Sequence, residues 1–349
     1  MGIDSSFRFQ VSGFKFQMLR FFRSSKSIVI VTVLLIGILT WLQALLGGQE
    51  VAVSYRYDTF LFNALNEWLS RIDGLSVWFG LCLFLIVAVM LVLVNNRLRL
   101  IGKVSYLPAL CYVLLIGGMS EIHLFNPVVI AVILLMAGLI LLVDSFESEQ
   151  LSYRFFTVPA LISLSTFFYQ YMYFYMIVVW LVIALWRPGY WREWVFSILG
   201  FALPIFFAFS WFFLVEDDAT RMGTFFCEIL DIQRYNPSLS NSNIVFFALI
   251  FVLVIISFLY TLQYISSKKT VVRTGYYVLF IIVAITAGMI FAIPDIIPFA
   301  WYLLAFPLSI FISCFLANVK SKLWGNVVLA ILFIGVIVGL LSVMQASAL

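Results

Sequence analysis

The run Tyr55-Arg56-Tyr57-Asp58-Thr59 sets a carboxylate beside a guanidinium and two phenols. A carboxylate held at a water–lipid boundary can take a proton from a substrate hydroxyl, acting as general base. The plainer alternative is that Asp58 caps a helix start and pairs with Arg56. A second run, Met119-Ser120-Glu121-Ile122-His123-Leu124-Phe125-Asn126-Pro127, offers Glu121 and His123. Two residues apart, they do not share a helical face, but a short loop can converge them. With Asp58 they have the donor types for a divalent metal ion. The alternative there is an interfacial Glu beside a turn-forming Asn-Pro. Asp295 stands alone between prolines in Pro294-Asp295-Ile296-Ile297-Pro298. Glu216-Asp217-Asp218 opens the longest polar stretch, 215–242, and reads as a solvated run.

These residues need elements to hold them. From Phe60 to Ile72, the apolar Phe60, Leu61, Leu65, Leu69 and Ile72 recur near helical spacing, with Asn63, Asn66, Glu67 and Arg71 between them. That pattern predicts an amphipathic helix over 59–72, apolar face down on a membrane surface, with Asp58 or Thr59 at its cap. The rest of the chain is apolar in long runs. Of 349 residues 64% are hydrophobic and 10% charged, with a mean hydropathy of +1.14. A soluble domain carries about 25% charged residues, so this surface must face lipid. No polar stretch is long enough for a sizeable soluble domain.

Eleven apolar runs read as spans: 28–46, 76–95, 104–119, 127–143, 155–169, 171–186, 194–214, 243–263, 276–292, 299–317 and 325–345. Residues 155–186 form one run of 32, about 48 Å long as a helix. Read as a hairpin turning at Tyr169-Gln170-Tyr171, it keeps Arg154, Arg187 and Arg192 on one side. The turn then carries Tyr169, Tyr171, Tyr173 and Tyr175, expected to form an interfacial aromatic belt.

With this span set, sixteen of the twenty Lys and Arg residues fall on one side. They are Arg8, Lys15, Arg20, Arg23, Lys26, Arg97, Arg99, Lys103, Arg154, Arg187, Arg192, Lys268, Lys269, Arg273, Lys320 and Lys322. Only Arg56, Arg71, Arg221 and Arg234 fall on the other. The positive-inside rule makes the first side cytoplasmic, with the N-terminus inside and the C-terminus outside. The expected fold is an all-α, polytopic transmembrane bundle of about eleven spans. A basic, aromatic segment, 1–27, lies on the cytoplasmic leaflet before a single membrane domain, 28–349. The first span is expected to be retained, since no small-residue cleavage site follows it.

Several classes are excluded. The net charge of +4 comes from residues flanking spans, so it is no nucleic-acid signature. The single histidine, His123, rules out a site built from several His ligands. Cys82, Cys111 and Cys314 lie in apolar runs as packing residues, and Cys227 stands alone in a loop. GxGxxG, Walker A, GxSxG and HExxH are all absent. Buried ionisable residues, which mark ion paths, are nearly absent from the spans. Pro108-Ala109-Leu110 and Pro159-Ala160-Leu161 echo each other near the starts of two runs, both prolines being expected in a first helical turn. In so Leu-rich a chain the echo reads as coincidence.

Asn95-Asn96-Arg97, Tyr106-Leu107-Pro108-Ala109-Leu110, Phe125-Asn126-Pro127 and Trp186-Arg187-Pro188-Gly189-Tyr190-Trp191-Arg192-Glu193-Trp194 together resemble an uncharacterised family of bacterial multi-pass membrane proteins. The resemblance covers about 76–215 and implies a bacterial inner-membrane location. Members have been labelled carotenoid oxygenases, a chemistry that the single His123 argues against. In layout the chain also resembles the GT-C glycosyltransferases, which use polyprenyl-phosphate sugars at the outer face. That resemblance implies an acidic catalytic base in the first outer loop, where Asp58 stands, and a later acidic helper, for which Glu121 is the nearest match. Arg56 would assist, with Tyr55, Tyr57, His123 and Asp295 as substrate contacts, since aromatics and cations suit sugar stacking and phosphate binding. The chain departs from that plan in its short first loop, its lack of an Asp-Glu pair and its lack of a large outer domain. The expected partners are membrane lipid and a lipid-linked sugar, with a divalent metal ion as the one candidate cofactor. The alternative functions are a non-enzymatic subunit of an envelope or export assembly, with membrane-protein partners, and a small-molecule transporter.

Overall fold

A computed structural model describes residues 19–24, 26–47, 59–72, 74–102, 104–118, 125–145, 153–215, 241–293, 296–319 and 321–346. All the regular structure among them is helical. In chain order the α-helices are α1 (Ser27–Gly47), α2 (Phe60–Ser70), α3 (Leu75–Leu98), α4 (Leu107–Gly117), α5 (Pro127–Asp144), α6 (Arg154–Thr166), α7 (Met176–Trp186), α8 (Trp191–Val215), α9 (Asn241–Ile265), α10 (Thr270–Ala292), α11 (Ile297–Asn318) and α12 (Lys322–Ala346). A 3-10 segment, Gln170–Tyr175, leads into α7. Each of the eleven apolar runs therefore folds as helix.

Among the described residues, six helical stretches are long and apolar enough to cross a membrane: Leu75–Leu98, Pro127–Asp144, Trp191–Trp211, Thr270–Ala292, Phe299–Asn318 and Leu323–Leu340. Four more, Ser27–Leu42, Leu107–Gly117, Gln170–Trp186 and Ile250–Ile265, are apolar but shorter. The shortest of them, α4, is only 11 residues, about 16 Å of helix. It can be short because every one of its residues is buried. Its ends finish inside protein, where neighbouring helices cover them. The centre of the bundle is α4 and α11, both almost wholly buried. The outermost helix is α8, which packs principally along α6. A Cβ on Gly200 of α8 would land on the Phe156 carbonyl of α6, so the two backbones meet there.

Local chemistry explains the boundaries. Asn126 caps α5, its side chain accepting from the Val128 amide at 2.9 Å, with Pro127 in the first turn where no amide is needed. α3 runs into Arg99 at φ 50° and Gly102 at φ 84°, a left-handed exit that turns the chain back toward α4. Pro108 sits in the first turn of α4 as expected. Pro159 does not: α6 starts earlier, at Arg154, so this proline lies inside the helix. The aligned prolines of the Pro-Ala-Leu echo are thus not structurally equivalent.

The 155–186 run is broken, not continuous. Tyr169 is extended (φ −142°, ψ 108°), and the chain turns back through the 3-10 segment. The ends of the run meet again: the Arg187 guanidinium lies over the Phe155 ring, 5.8 Å from its centroid. That contact requires a hairpin. The tyrosine belt expected at its turn is corrected, however. Tyr169, Tyr171 and Tyr175 are buried in the bundle, and only Tyr173 is half-buried. Tyr175 finds a partner there, its hydroxyl 2.6 Å from Thr286 Oγ1, which makes burial of a phenol tolerable.

Contacts sort the helix ends into two poles. At the first, Arg97 pairs with Asp144 at 3.2 Å, Tyr264 donates to the Ile101 carbonyl at 3.1 Å, and Lys268 lies 4.2 Å over the Tyr264 ring. Arg23 joins this pole, donating to the Leu316 carbonyl at 2.8 Å and the Val319 carbonyl at 3.0 Å, and so capping the C-terminus of α11. Partial burial lowers the pKa of Arg23, an effect the nearby Tyr260 opposes. At the second pole Trp301 donates to the Leu115 carbonyl at 3.2 Å and the tilted rings of Phe62 and Phe125 lie 5.5 Å apart. Exposed aromatics ring both ends, with Tyr153, Tyr190, Trp191 and Trp324 at the basic pole and Trp68, Trp78 and Trp211 at the other.

Candidate functional site

All seven residues singled out from sequence, Tyr55, Arg56, Tyr57, Asp58, Glu121, His123 and Asp295, lie outside the described residues, as do Glu216, Asp217 and Asp218. What can be built is the frame from which they extend. Thr59, the residue after Asp58, is buried, and its hydroxyl donates to the Phe168 carbonyl at 3.1 Å. Thr59 thus stands at the N-cap of α2 without capping it. Next to Phe168, the Tyr169 ring lies 6.5 Å from that of Phe299, four residues beyond Asp295. Phe62, in the first turn of α2, lies 5.5 Å from Phe125, two residues beyond His123 and four beyond Glu121. Thr59 and Phe299 therefore contact the hairpin turn, while Phe125 packs on α2, whose start is held at that turn.

α2 is held there by packing. Phe62, Leu69 and Phe125 form a small buried cluster, supported by Leu65, Phe79 and Ile130. Phe79 meets Phe125 edge-on at 5.3 Å. The apolar face of α2 thus rests on the helix bundle itself. The opposite face, with Asn63, Asn66, Glu67 and Arg71, is exposed, and Glu67 and Arg71 form a loose i,i+4 pair at 4.0 Å. Ile72, expected on the apolar face, falls beyond the helix end and is exposed.

The basic pole holds a second charged site, built from Arg187 and Glu193. Arg187 ends α7, and Glu193 lies in the first turn of α8, across the Pro188-Gly189 turn. Arg187 Nη1 donates to Glu193 Oε1 at 2.6 Å. Nη2 reaches the Ser145 carbonyl at 3.5 Å, and the guanidinium is flanked by the rings of Phe155 and Tyr190. Glu193 is only 2% exposed, and its Oε2 has no hydrogen-bond partner. Among the described residues it is the one buried charged side chain. The signal was available in a base, a Pro-Gly turn and an acid six residues on, but its burial was not. The site clamps helix ends.

No group of three or more His, Cys, Asp or Glu side chains fit to hold a metal occurs among the described residues. Of the free cysteines described, Cys111 and Cys314 are buried and Cys82 is exposed. Among the described residues, a groove of about 650 Å³ lies between α8 and the limb formed by the 3-10 segment and α7. Its lining is apolar apart from the Tyr173 hydroxyl and the Trp180 indole N–H.

Compared with known proteins, the chain matches no family model, no curated protein and no solved structure.

Proposed function

We propose that this chain is an integral membrane enzyme of GT-C-like plan, transferring a sugar from a polyprenyl-phosphate carrier at the outer face of a bacterial inner membrane. The observation that carries the reading is that Thr59 and Phe299 contact one hairpin turn while Phe125 packs on Phe62 of the helix that Thr59 starts. Thr59, Phe125 and Phe299 lie close in sequence to Asp58, to Glu121 and His123, and to Asp295, which supports a shared site beside α2. In this reading Asp58 is the general base, Arg56 steadies the phosphate, and Glu121 supports the acceptor or a divalent metal. Tyr55, Tyr57, His123 and Asp295 line the substrate. The eleven crossings and the outward-facing α2 pole rest on the charge partition together with the clustering of Arg23, Arg97, Arg187 and Lys268 at the other pole.

A second reading is a non-enzymatic membrane subunit. The apolar length of α8 favours it, since Phe206, Phe207, Trp211, Phe213 and Leu214 are all exposed. Asp58→Asn separates the two, because it keeps the size and capping capacity of the side chain and removes its charge. Sugar transfer from a labelled polyprenyl-phosphate hexose to membrane acceptors is the readout. A base predicts a loss on the order of a hundredfold with expression unchanged. Full transfer by Asp58→Asn would remove Asp58 as the base, and no transfer by the unaltered chain would leave the subunit reading.

A further inference from the structure

The gap between α7 and α8 has a defined floor and mouth. The two helices are tied at the basic pole by the Arg187–Glu193 pair and by Trp180 Nε1 donating to Ser197 Oγ at 3.3 Å. From that bond they diverge. One wall of the resulting wedge is Trp180, Ile177, Phe174 and Tyr173; the other is Ile198, Ala202, Ile205 and Phe209. Tyr173 stands at the mouth, in the 3-10 segment whose hairpin turn Thr59 contacts. α8 follows α6 closely at Gly200 and so cannot swing over to close the wedge.

An empty apolar wedge forfeits dispersion contacts on both walls, so a filler stabilises it. We infer that the wedge binds an acyl chain of a bilayer phospholipid, methyl end at the Trp180–Ser197 floor and headgroup at the α2 pole. Size decides against a partner helix. A spanning helix about 30 Å long and 10 Å across fills on the order of 2,400 Å³. The wedge offers about 650 Å³. That lies within the roughly 300–1,000 Å³ of small-molecule sites. Apart from the Tyr173 hydroxyl and the Trp180 indole N–H, which is engaged with Ser197, nothing polar in the lining side chains opposes a hydrocarbon. A lipid held between two walls and a floor differs from the lipid that merely wets the outer face of α8 at Phe207 and Trp211. This site does not depend on the transferase reading.

The test uses the full chain in nanodiscs containing phosphatidylglycerol with a diazirine at the acyl terminus, with adducts mapped by mass spectrometry after illumination. Adducts are expected to concentrate near Trp180, Ile198 and Ala202. Ala202→Trp fills the wedge from an exposed position and should cut those adducts at least tenfold, leaving the ones on Phe207 and Trp211 unchanged. Ile198→Trp, on the same wall, serves if Ala202→Trp is not recovered folded. Even labelling of exposed α8, indifferent to either substitution, overturns the site. Clearance of the adducts by equimolar polyprenyl phosphate overturns the phospholipid assignment. Loss of transfer in Asp58→Asn with the adduct pattern intact tells the two proposals apart.

Discussion

The Thr59 hydroxyl donates to the Phe168 carbonyl at 3.1 Å, across 109 positions of sequence. It fastens the start of α2 to the hairpin turn between α6 and the 3-10 segment. Without it the Phe168 carbonyl, at a break in the helical ladder, loses its side-chain partner. Thr59→Val removes the donor and keeps the shape, and is expected to cost about 1 kcal/mol. Hydrogen exchange should then rise in 60–70 and stay unchanged in 107–117. An unchanged α2 would mean that the packing of Phe62 and Leu69 holds it alone.

Arg187 and Glu193 form a pair whose members fail unequally. Arg187→Ala leaves a buried carboxylate with neither oxygen satisfied, a loss of about 3–5 kcal/mol. Glu193→Gln keeps a hydrogen-bonding group without the charge and should be milder. The double change Arg187→Met with Glu193→Leu should recover much of the stability, because apolar groups replace a buried pair at little cost. Thermal melts of the four proteins in detergent check the order. A double variant worse than Arg187→Ala would contradict it.

Sidedness is testable residue by residue. Single cysteines in a cysteine-free background are expected to react with an impermeant maleimide from outside at position 217 and not at position 268. The clustering of Lys268 and Tyr264 with Ile101 at the basic pole motivates the second half of that pattern. Reversal would turn the whole molecule over in the membrane and put α2 in the cytoplasm.

The helices were legible because apolar runs bounded by cations leave the chain few alternatives. The 155–186 hairpin was legible through parity alone: only a return keeps Arg154 and Arg187 together, and the Arg187–Phe155 contact is that return. The fate of the turn tyrosines was not. A phenol suits an interface or a satisfied interior site, and the Thr286 partner of Tyr175 lies 111 residues away. Glu193 was hidden for a related reason, since a carboxylate in a first helical turn looks solvated until its guanidinium partner folds onto it. Of the nominated site, sequence supplied the residue types and the frame shows where their segments are rooted. Pairing across Thr59–Phe168, Tyr169–Phe299 and Phe62–Phe125 is tertiary and has no local signature.

The proposed transferase requires three separated acidic segments to share one site at the α2 pole. Paired cysteines replacing Asp58 and Glu121, and Asp58 and Asp295, in the cysteine-free chain measure it directly with a short bismaleimide in native membranes. The account predicts efficient intramolecular cross-linking of both pairs and none between positions 58 and 268. Failure of both pairs, with each cysteine separately reactive toward monomaleimide, would contradict a shared site.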